Sequence, residues 1–276
     1  MDRQPLLLTT FGSIFLFFQL AQSATIIFDM DGVLTQSNRL SFLWMVGPWH
    51  LLGFYNPFTA EETFIKFLDS LEPRKSDTPL AFYHAHKIPQ IMCDWMCGRT
   101  STKEIRTRIE TQLRGNPQFS NHASFIKSIS SVLFTPELFV KGISPLKEGV
   151  KLFKRCAQIK DQYGNRKHKM YILSNWDPDS FPLLNDIPAL RAIFDLCDGI
   201  VISGAINLMK PDIRIFDYFL IKYNIDPHNE LTVFIDNDRL NIAAARELNK
   251  QQLHAFLCED GEFKSIKKSL KKLGII

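Results

Sequence analysis

Residues 26–35 read "IIFDMDGVLT": apolar residues, two aspartates separated by Met30, then a glycine. Along an extended strand side chains alternate, so Asp29 and Asp31 project to one side and Met30 to the other. Like charges held that close need relief, either from a cation or from a proton kept by one of them. Both acids stand where the apolar run stops, so the run reads as a buried strand with its chemistry at the carboxyl end.

Four more runs have the same character: "MYILSN" at 170–175, "GIVIS" at 199–203, "LTVFID" at 231–236 and "HAFLC" at 254–258. Helical periodicity marks 146–160, 213–223, 241–248 and 263–273 between and around them. This alternation predicts an α/β fold, a Rossmann-like parallel sheet covered by helices on both faces. Ligands of such sheets bind outside the carboxyl ends of the strands, where the polar residues closing each run converge. The interval 36–144 breaks the pattern. It holds helix-compatible stretches such as "AEETFIKFLDSL" and "GRTSTKEIRTRIETQL", and a loop of that length is foreign to a compact domain. The predicted organisation is therefore a core from 25–35 and 145–276, with 36–144 inserted as a mainly helical module.

The N-terminal residues 1–24, "MDRQPLLLTTFGSIFLFFQLAQSA", have one arginine, an apolar stretch densest at 11–20, and small residues that permit cleavage after Ser23 or Ala24. That is the layout of a signal peptide and predicts export, periplasmic or secreted. An uncleaved N-terminal anchor and a cytoplasmic apolar arm are the alternatives. Thr9, Thr10, Ser13 and Gln19 interrupt the stretch, so a stable membrane span is not expected.

Of the 276 residues 45% are apolar and 22% charged, an ordinary globular composition that excludes disorder as the default. The net charge of +4 is not gathered into a basic and aromatic stripe, so nucleic acid is not expected as a partner. Lys264, Lys267, Lys268, Lys271 and Lys272 recur at spacings of three and four, as on the solvated face of a terminal helix. The five cysteines make no disulfide framework in a chain of this length, and no histidine stands at zinc-ligand spacing to Cys93 and Cys97. Those two either pair under oxidising conditions or share one helix face.

Collected from the ends of the runs, the candidate site comprises Asp29, Asp31, Ser174, Asn175 and Asp236, with Asn237, Asp238 and Lys210 nearby. Hard Mg²⁺ takes oxygen ligands, usually one or two carboxylates completed by phosphate and water. A lysine that neutralises charge and a carboxylate able to act as nucleophile suit phosphoryl transfer.

"DMDGVLT", "LSN", "KPD" and "FIDNDRLNIAAAR", in this order over about residues 25–260, resemble the four motifs of the haloacid dehalogenase-like (HAD) hydrolase superfamily. The helical insert between the first two resembles that family's C1 cap. The resemblance implies that Asp29 is the nucleophile and that Asp31 is the general acid and base, its carbonyl also reaching Mg²⁺. It further implies that Ser174 binds the phosphoryl group, Asn175 supports the loop of the first strand, Lys210 bridges nucleophile and phosphoryl oxygens, and Asp236 joins Asp29 and Asp31 at the metal. An acid two residues after the nucleophile suits a phosphatase, which must protonate an alkoxide, better than a dehalogenase, whose halide leaves without a proton. One departure concerns the fourth motif, where many members carry two adjacent acids and this chain has Asp236 then Asn237. Weaker metal binding is expected, and Asp238 is a candidate substitute.

The resulting expectation is a Mg²⁺-dependent phosphomonoesterase acting on a small phosphorylated metabolite. A phosphomutase, a phosphonate hydrolase using Lys66 or Lys87, a haloacid hydrolase, and a catalytically reduced phospho-ligand binder are the alternatives. Trp176, Asp177, the aromatics Phe42, Trp44, Trp49, Phe54 and Tyr55, and His50, His84 and His86 either line the pocket or pack the insert. Substrate identity and oligomeric state are not encoded in any of these patterns.

Overall fold

Each of the five apolar runs forms a strand in the computed structural model, which describes residues 23–51, 57–76, 78, 82–83 and 86–276. The strands are β1 (Thr25–Phe28), β2 (Lys169–Ser174), β3 (Gly199–Ile202), β4 (Thr232–Asp236) and β5 (Leu253–Leu257). They pair in parallel in the order β3-β2-β1-β4-β5. Period-two alternation sorts their side chains onto two faces. Ile26, Phe28, Met170, Ile172, Val233 and Ile235 join one apolar cluster, while Ile27, Tyr171, Leu173 and Phe234 join the other. Helices Lys147–Gln158 and Lys264–Lys272 cover the first face; Ile213–Lys222 and Arg239–Glu247 cover the second. The exposed lysines of Lys264–Lys272 lie opposite its buried Ile266 and Leu270, as the spacing predicts.

β1 is the topological centre. From it the chain builds outward to β2 and β3 on one side and to β4 and β5 on the other, so strand order reverses between β1 and β4. A crevice at the carboxyl ends follows from that reversal.

Between residues 38 and 142 the chain is mainly helical, including Pro57–Asp69, Gln90–Met96, Thr102–Gly115 and Ala123–Leu133. Phe67, Ile91, Trp95, Ile105, Ile126 and Phe134 give it an apolar cluster of its own. Ser101 and Glu104 close the start of Thr102–Gly115 with reciprocal side-chain-to-backbone bonds, a capping box. At its base Thr35–Ser37 pairs antiparallel with Ile143–Pro145, a ribbon too short to show a sequence period. All five cysteines are free; Cys93 and Cys97 lie one helical turn apart, buried with Met209. Among the described residues no helix is long and apolar enough to cross a membrane.

The candidate signal segment lies outside the described residues except for Ser23 and Ala24, which belong to the fold. Ser23 Oγ donates to the Lys167 carbonyl at 2.7 Å, and Ala24, which is buried, accepts from the Lys169 amide at 3.0 Å. Cleavage after Ala24 would remove both from the edge of the sheet. The Ala24 amide also donates to His168 Nδ1 at 3.1 Å, so the ring proton sits on Nε2, 3.1 Å from the Ile275 carbonyl. His168 thus ties the first strand to the last turn of the chain. Burial holds its pKa below the ordinary 6.5. Above that value the ring is neutral whether the chain is folded or not. As pH falls below it the unfolded chain takes up a proton that the folded ring resists, so this contribution to stability is lost on acidification. Urea midpoints at pH 7.5 and 5.5 (about one unit either side of an unperturbed histidine) are expected to fall further for the wild type than for His168→Gln.

Candidate active site at the carboxyl edge of the sheet

Asp29 follows β1 and Asp236 ends β4, and the register that pairs Phe28 with Ile235 brings the two to the same level. The Asp29 amide donates to the Ile235 carbonyl at 2.9 Å, which holds them there. Lys210 Nζ lies between the carboxylates, 2.9 Å from Asp29 Oδ1 and 2.5 Å from Asp236 Oδ2, and donates to the Leu173 carbonyl at 3.0 Å. Only 1% of its side chain is exposed, so the ammonium depends on these oxygens and on the Phe234 ring, whose centroid is 5.5 Å away.

Two carboxylates share one buried ammonium. Burial pushes the Asp29 carboxyl up to about 7, and the Asp236 charge adds to this against the opposing pull of Lys210. For Lys210 burial acts downward, but Asp236 and Asp29 outweigh it and the pKa is raised. The lysine is therefore held charged and Asp29 is the adjustable member.

Ser174, buried at the end of β2, hydrogen-bonds the Asp29 carboxylate. Asn175 braces Lys210: its Oδ1 accepts from the Lys210 amide at 2.8 Å and its Nδ2 donates to the Lys210 carbonyl at 2.8 Å. This corrects the expected support of the first strand's loop and gives Asn175 a positioning role in place of a substrate contact. Asp236 is fully engaged. Besides Lys210, its oxygens accept from Asn241 Nδ2, 3.1 Å from each, and from the Asp238 amide at 2.8 Å. Asn241 escaped the sequence reading: it lies five residues after Asp236, past the turn at 237–238 and in the first turn of helix Arg239–Glu247. Asp238 caps helix Arg239–Glu247 by accepting from the Leu240 amide at 2.8 Å. The side chain that reaches the Asp31–Gly32 turn is the exposed Asn237, whose Nδ2 lies 2.2 Å from where a Gly32 Cβ would stand. Gly32 has φ +71° and tolerates this approach because it has no Cβ.

β1 ends at Phe28, so the acids occupy a turn rather than a continuing strand. The Met30 carbonyl accepts from the Val33, Leu34 and Thr35 amides, and Met30 itself is in the core. Asp29 is buried and Asp31 half-buried, so the second acid stands nearer to solvent. Among the described residues no three His, Cys, Asp or Glu side chains converge as a metal group. Asp29, the Asp31 carbonyl and Asp236 are the groups expected to hold Mg²⁺, to be completed by phosphate and water; Asp236 is already engaged by Lys210, Asn241 and the Asp238 amide, and Asn237 stands beside the Asp31–Gly32 turn. Asp29 Oδ1 accepts no aligned hydrogen bond despite its ion pair, which leaves a lone pair for such a cation.

Trp176 packs rather than lines the site. Its indole donates to Ser180 Oγ at 2.9 Å and its ring lies 6.0 Å from Phe139 of the insert. Asp177 turns inward and accepts from the Asp179 and Ser180 amides. Ser203 Oγ donates to the Met96 carbonyl at 2.6 Å, Thr102 Oγ1 to Asp179 at 2.5 Å, and the Gly204 carbonyl would be 2.3 Å from a Cβ on Gly98. These contacts join the insert to the ends of β2 and β3. Lys66 pairs with Glu62 on an exposed helix face, and Lys87 is exposed. Phe42 packs on Phe139, Trp44 and Trp49 are exposed, and His50 Nδ1 lies 3.4 Å from Ser124 Oγ. Phe54, Tyr55, His84 and the side chain of His86 lie outside the described residues.

No protein-family model matches the chain. Solved structures do match it over most of its length. A HAD family enzyme from Bacteroides thetaiotaomicron aligns with a TM-score of 0.56 at 16% identity, over 90% of this chain and 98% of that one. The wild-type form of that enzyme in complex with magnesium and inorganic phosphate aligns with a TM-score of 0.54 at 15% identity, over 89% and 98%. A "predicted HAD-like family hydrolase" from Porphyromonas gingivalis gives 0.55 at 18% identity, over 91% and 98%. The chain thus has the fold of the HAD-like hydrolases, with a helical insertion after its first core strand.

Removing the ammonium would leave two buried carboxylates facing each other. Lys210→Met is expected to cost about 3–5 kcal/mol, read as a drop in the denaturation midpoint.

Proposed function

We propose that this chain is a Mg²⁺-dependent hydrolase of phosphate monoesters that works through an aspartyl-phosphate on Asp29. The observation that carries the reading is the buried Lys210 shared by Asp29 and Asp236 at the switch point of the sheet, with Asp31 nearer solvent two residues on. Support comes also from the likeness to an enzyme solved with magnesium and inorganic phosphate.

The Asp29 carboxylate attacks phosphorus, and the bond to the leaving oxygen breaks. Lys210, held by Asp236 and by the Asn175 clamp, offsets charge beside the nucleophile, and Ser174 Oγ donates to the incoming phosphoryl group. Asp31 gives its proton to the departing alkoxide. As a carboxylate it then takes a proton from the water that attacks the aspartyl-phosphate, releasing inorganic phosphate and restoring Asp29. Mg²⁺ held by Asp29, the Asp31 carbonyl and Asp236 would offset phosphoryl charge and keep Asp29 ionised near neutral pH. The N-terminal apolar segment supports delivery of the chain to a membrane, for export or as a retained anchor; sequencing the mature N-terminus distinguishes the two.

Purified protein is expected to release phosphate from an aryl phosphate in Mg²⁺, to stop in chelator, and to be inactive as Asp29→Asn. Asp31→Asn is expected to lose roughly 10²–10⁴-fold in kcat on an alkyl phosphate and much less on an aryl phosphate, whose leaving group needs less help from an acid. Equal losses on both would remove Asp31 from the acid role.

A second reading, a phospho-ligand binder with reduced catalysis, is favoured by Asn237 in place of an acid at the mouth. Asn237→Asp is expected to tighten Mn²⁺ binding, followed by paramagnetic resonance without substrate, by roughly an order of magnitude through the added ligand charge. No turnover by either form across a panel of phosphate esters would establish the binder instead.

A further inference from the structure

The N-terminal edge of the sheet, opposite the candidate active site, gathers features that are scattered in the sequence. Helices Lys147–Gln158 and Lys264–Lys272 lie side by side: Lys267 pairs with Glu148 at 2.5 Å, a Gly149 Cβ would be 3.1 Å from the Phe263 ring, and both helices bury residues in one cluster. Both start near the carboxyl edge, since Leu146 bonds Leu34 and the second helix follows β5. Their last turns therefore both point toward the opposite edge, and they carry the exposed Arg155, Lys271 and Lys272. Lys167 and Lys169 flank His168 at that same edge, and His168 contacts Ala24 and Ile275. The basic footprint is thus wider than one helix face.

Two further observations belong to this edge. Ser23 and Ala24 are bonded there, so the apolar residues preceding them join the fold amid these lysines. Tyr163, 79% exposed, stands in the turn closed by the Lys160–Arg166 bridge just before β2. Asp161 in that turn accepts from the Tyr163 and Asn165 amides.

We propose that this edge docks on an anionic lipid surface, with Arg155, Lys167, Lys169, Lys271 and Lys272 facing the headgroups and Tyr163 at their level. Basic residues beside an apolar segment are attracted to anionic leaflets, and tyrosine favours the membrane–water interface. A nucleic acid would account for the charge but not for the apolar segment joining the fold within it. Docked this way, the carboxyl edge of the sheet faces away from the lipid. The proposal is independent of the reaction catalysed.

The test is co-sedimentation of the full chain with vesicles of phosphatidylcholine alone or mixed with phosphatidylglycerol. Partition is expected to favour the anionic vesicles and to fall as salt is added. The triple variant Arg155→Glu, Lys271→Glu, Lys272→Glu is expected to lower anionic partition by at least about a hundred-fold, the loss of three basic residues at about 1 kcal/mol each with the added negative charge beyond that, and to leave binding to neutral vesicles unchanged. The matched reversals Lys103→Glu, Arg106→Glu and Arg114→Glu on the insert, which are exposed in the wild type, are expected to leave it unaltered. Equal binding to both vesicle types, or equal losses in the two triple variants, would overturn the proposal. So would displacement from anionic vesicles by double-stranded DNA at matched phosphate concentration.

Discussion

A lysine that stays charged out of water is costly unless opposite charge goes with it, and that constraint organises this molecule. Lys210 is buried between Asp29 and Asp236, so the ends of β1 and β4 must stay level and the segment before helix Ile213–Lys222 must reach across them. Asn175 fixes the lysine by bonding both sides of its backbone, while Ser174 meets Asp29 from the same strand end. Four stretches far apart in the chain are thereby tied at one point. The pairing also divides the labour of the acids: Asp236 is saturated and fixed, whereas Asp29 keeps a lone pair and a proton affinity near neutrality.

The site is placed by a sheet whose faces are filled by alternate residues of the same short strands. Because Ile26 and Phe28 go to one cluster and Ile27 to the other, β1 cannot slip by one residue without inverting its packing. Asp29 inherits that precision. His168 secures the other end of the strand through Ala24 and Ile275, so β1 is pinned at its entry and at its exit.

Much of this was legible in the sequence, for physical reasons. Parallel strands buried on both faces read as apolar runs, and all five runs became strands; the surface helices showed their buried stripe in residues such as Ile266 and Leu270. Asp29, Ser174, Lys210 and Asp236 were legible because strand ends at one edge of such a sheet must meet. Less readable were the contacts decided by turns. The strand ending at Phe28 is what separates Asp29 from Asp31 in burial, and the turn after β4 is what commits Asp236 to Lys210 and brings Asn237 against Gly32. Asn175 was legible as a candidate but its partner, the Lys210 backbone, lies across the fold, and Asn241 was hidden because its contact depends on helix phase. That two basic helices point toward one edge is likewise a product of packing that no local spacing records.

The insert is attached to the core in more than one place. The Thr35–Ser37 and Ile143–Pro145 ribbon carries the chain in and out, and the bonds from Ser203 to Met96 and from Thr102 to Asp179 grip it again beside β2 and β3. A door with a hinge on one side and a latch on another does not drift open. For the helical module to swing off the core, those hydrogen bonds must first be released and Gly98 withdrawn from Gly204. Gly98 is what lets that latch close, since a Cβ there would stand 2.3 Å from the Gly204 carbonyl, whereas one on Gly204 would meet Pro178 and the Trp176 carbonyl; bulk at position 98 would therefore force the insert from the core at a distance from the carboxylates themselves.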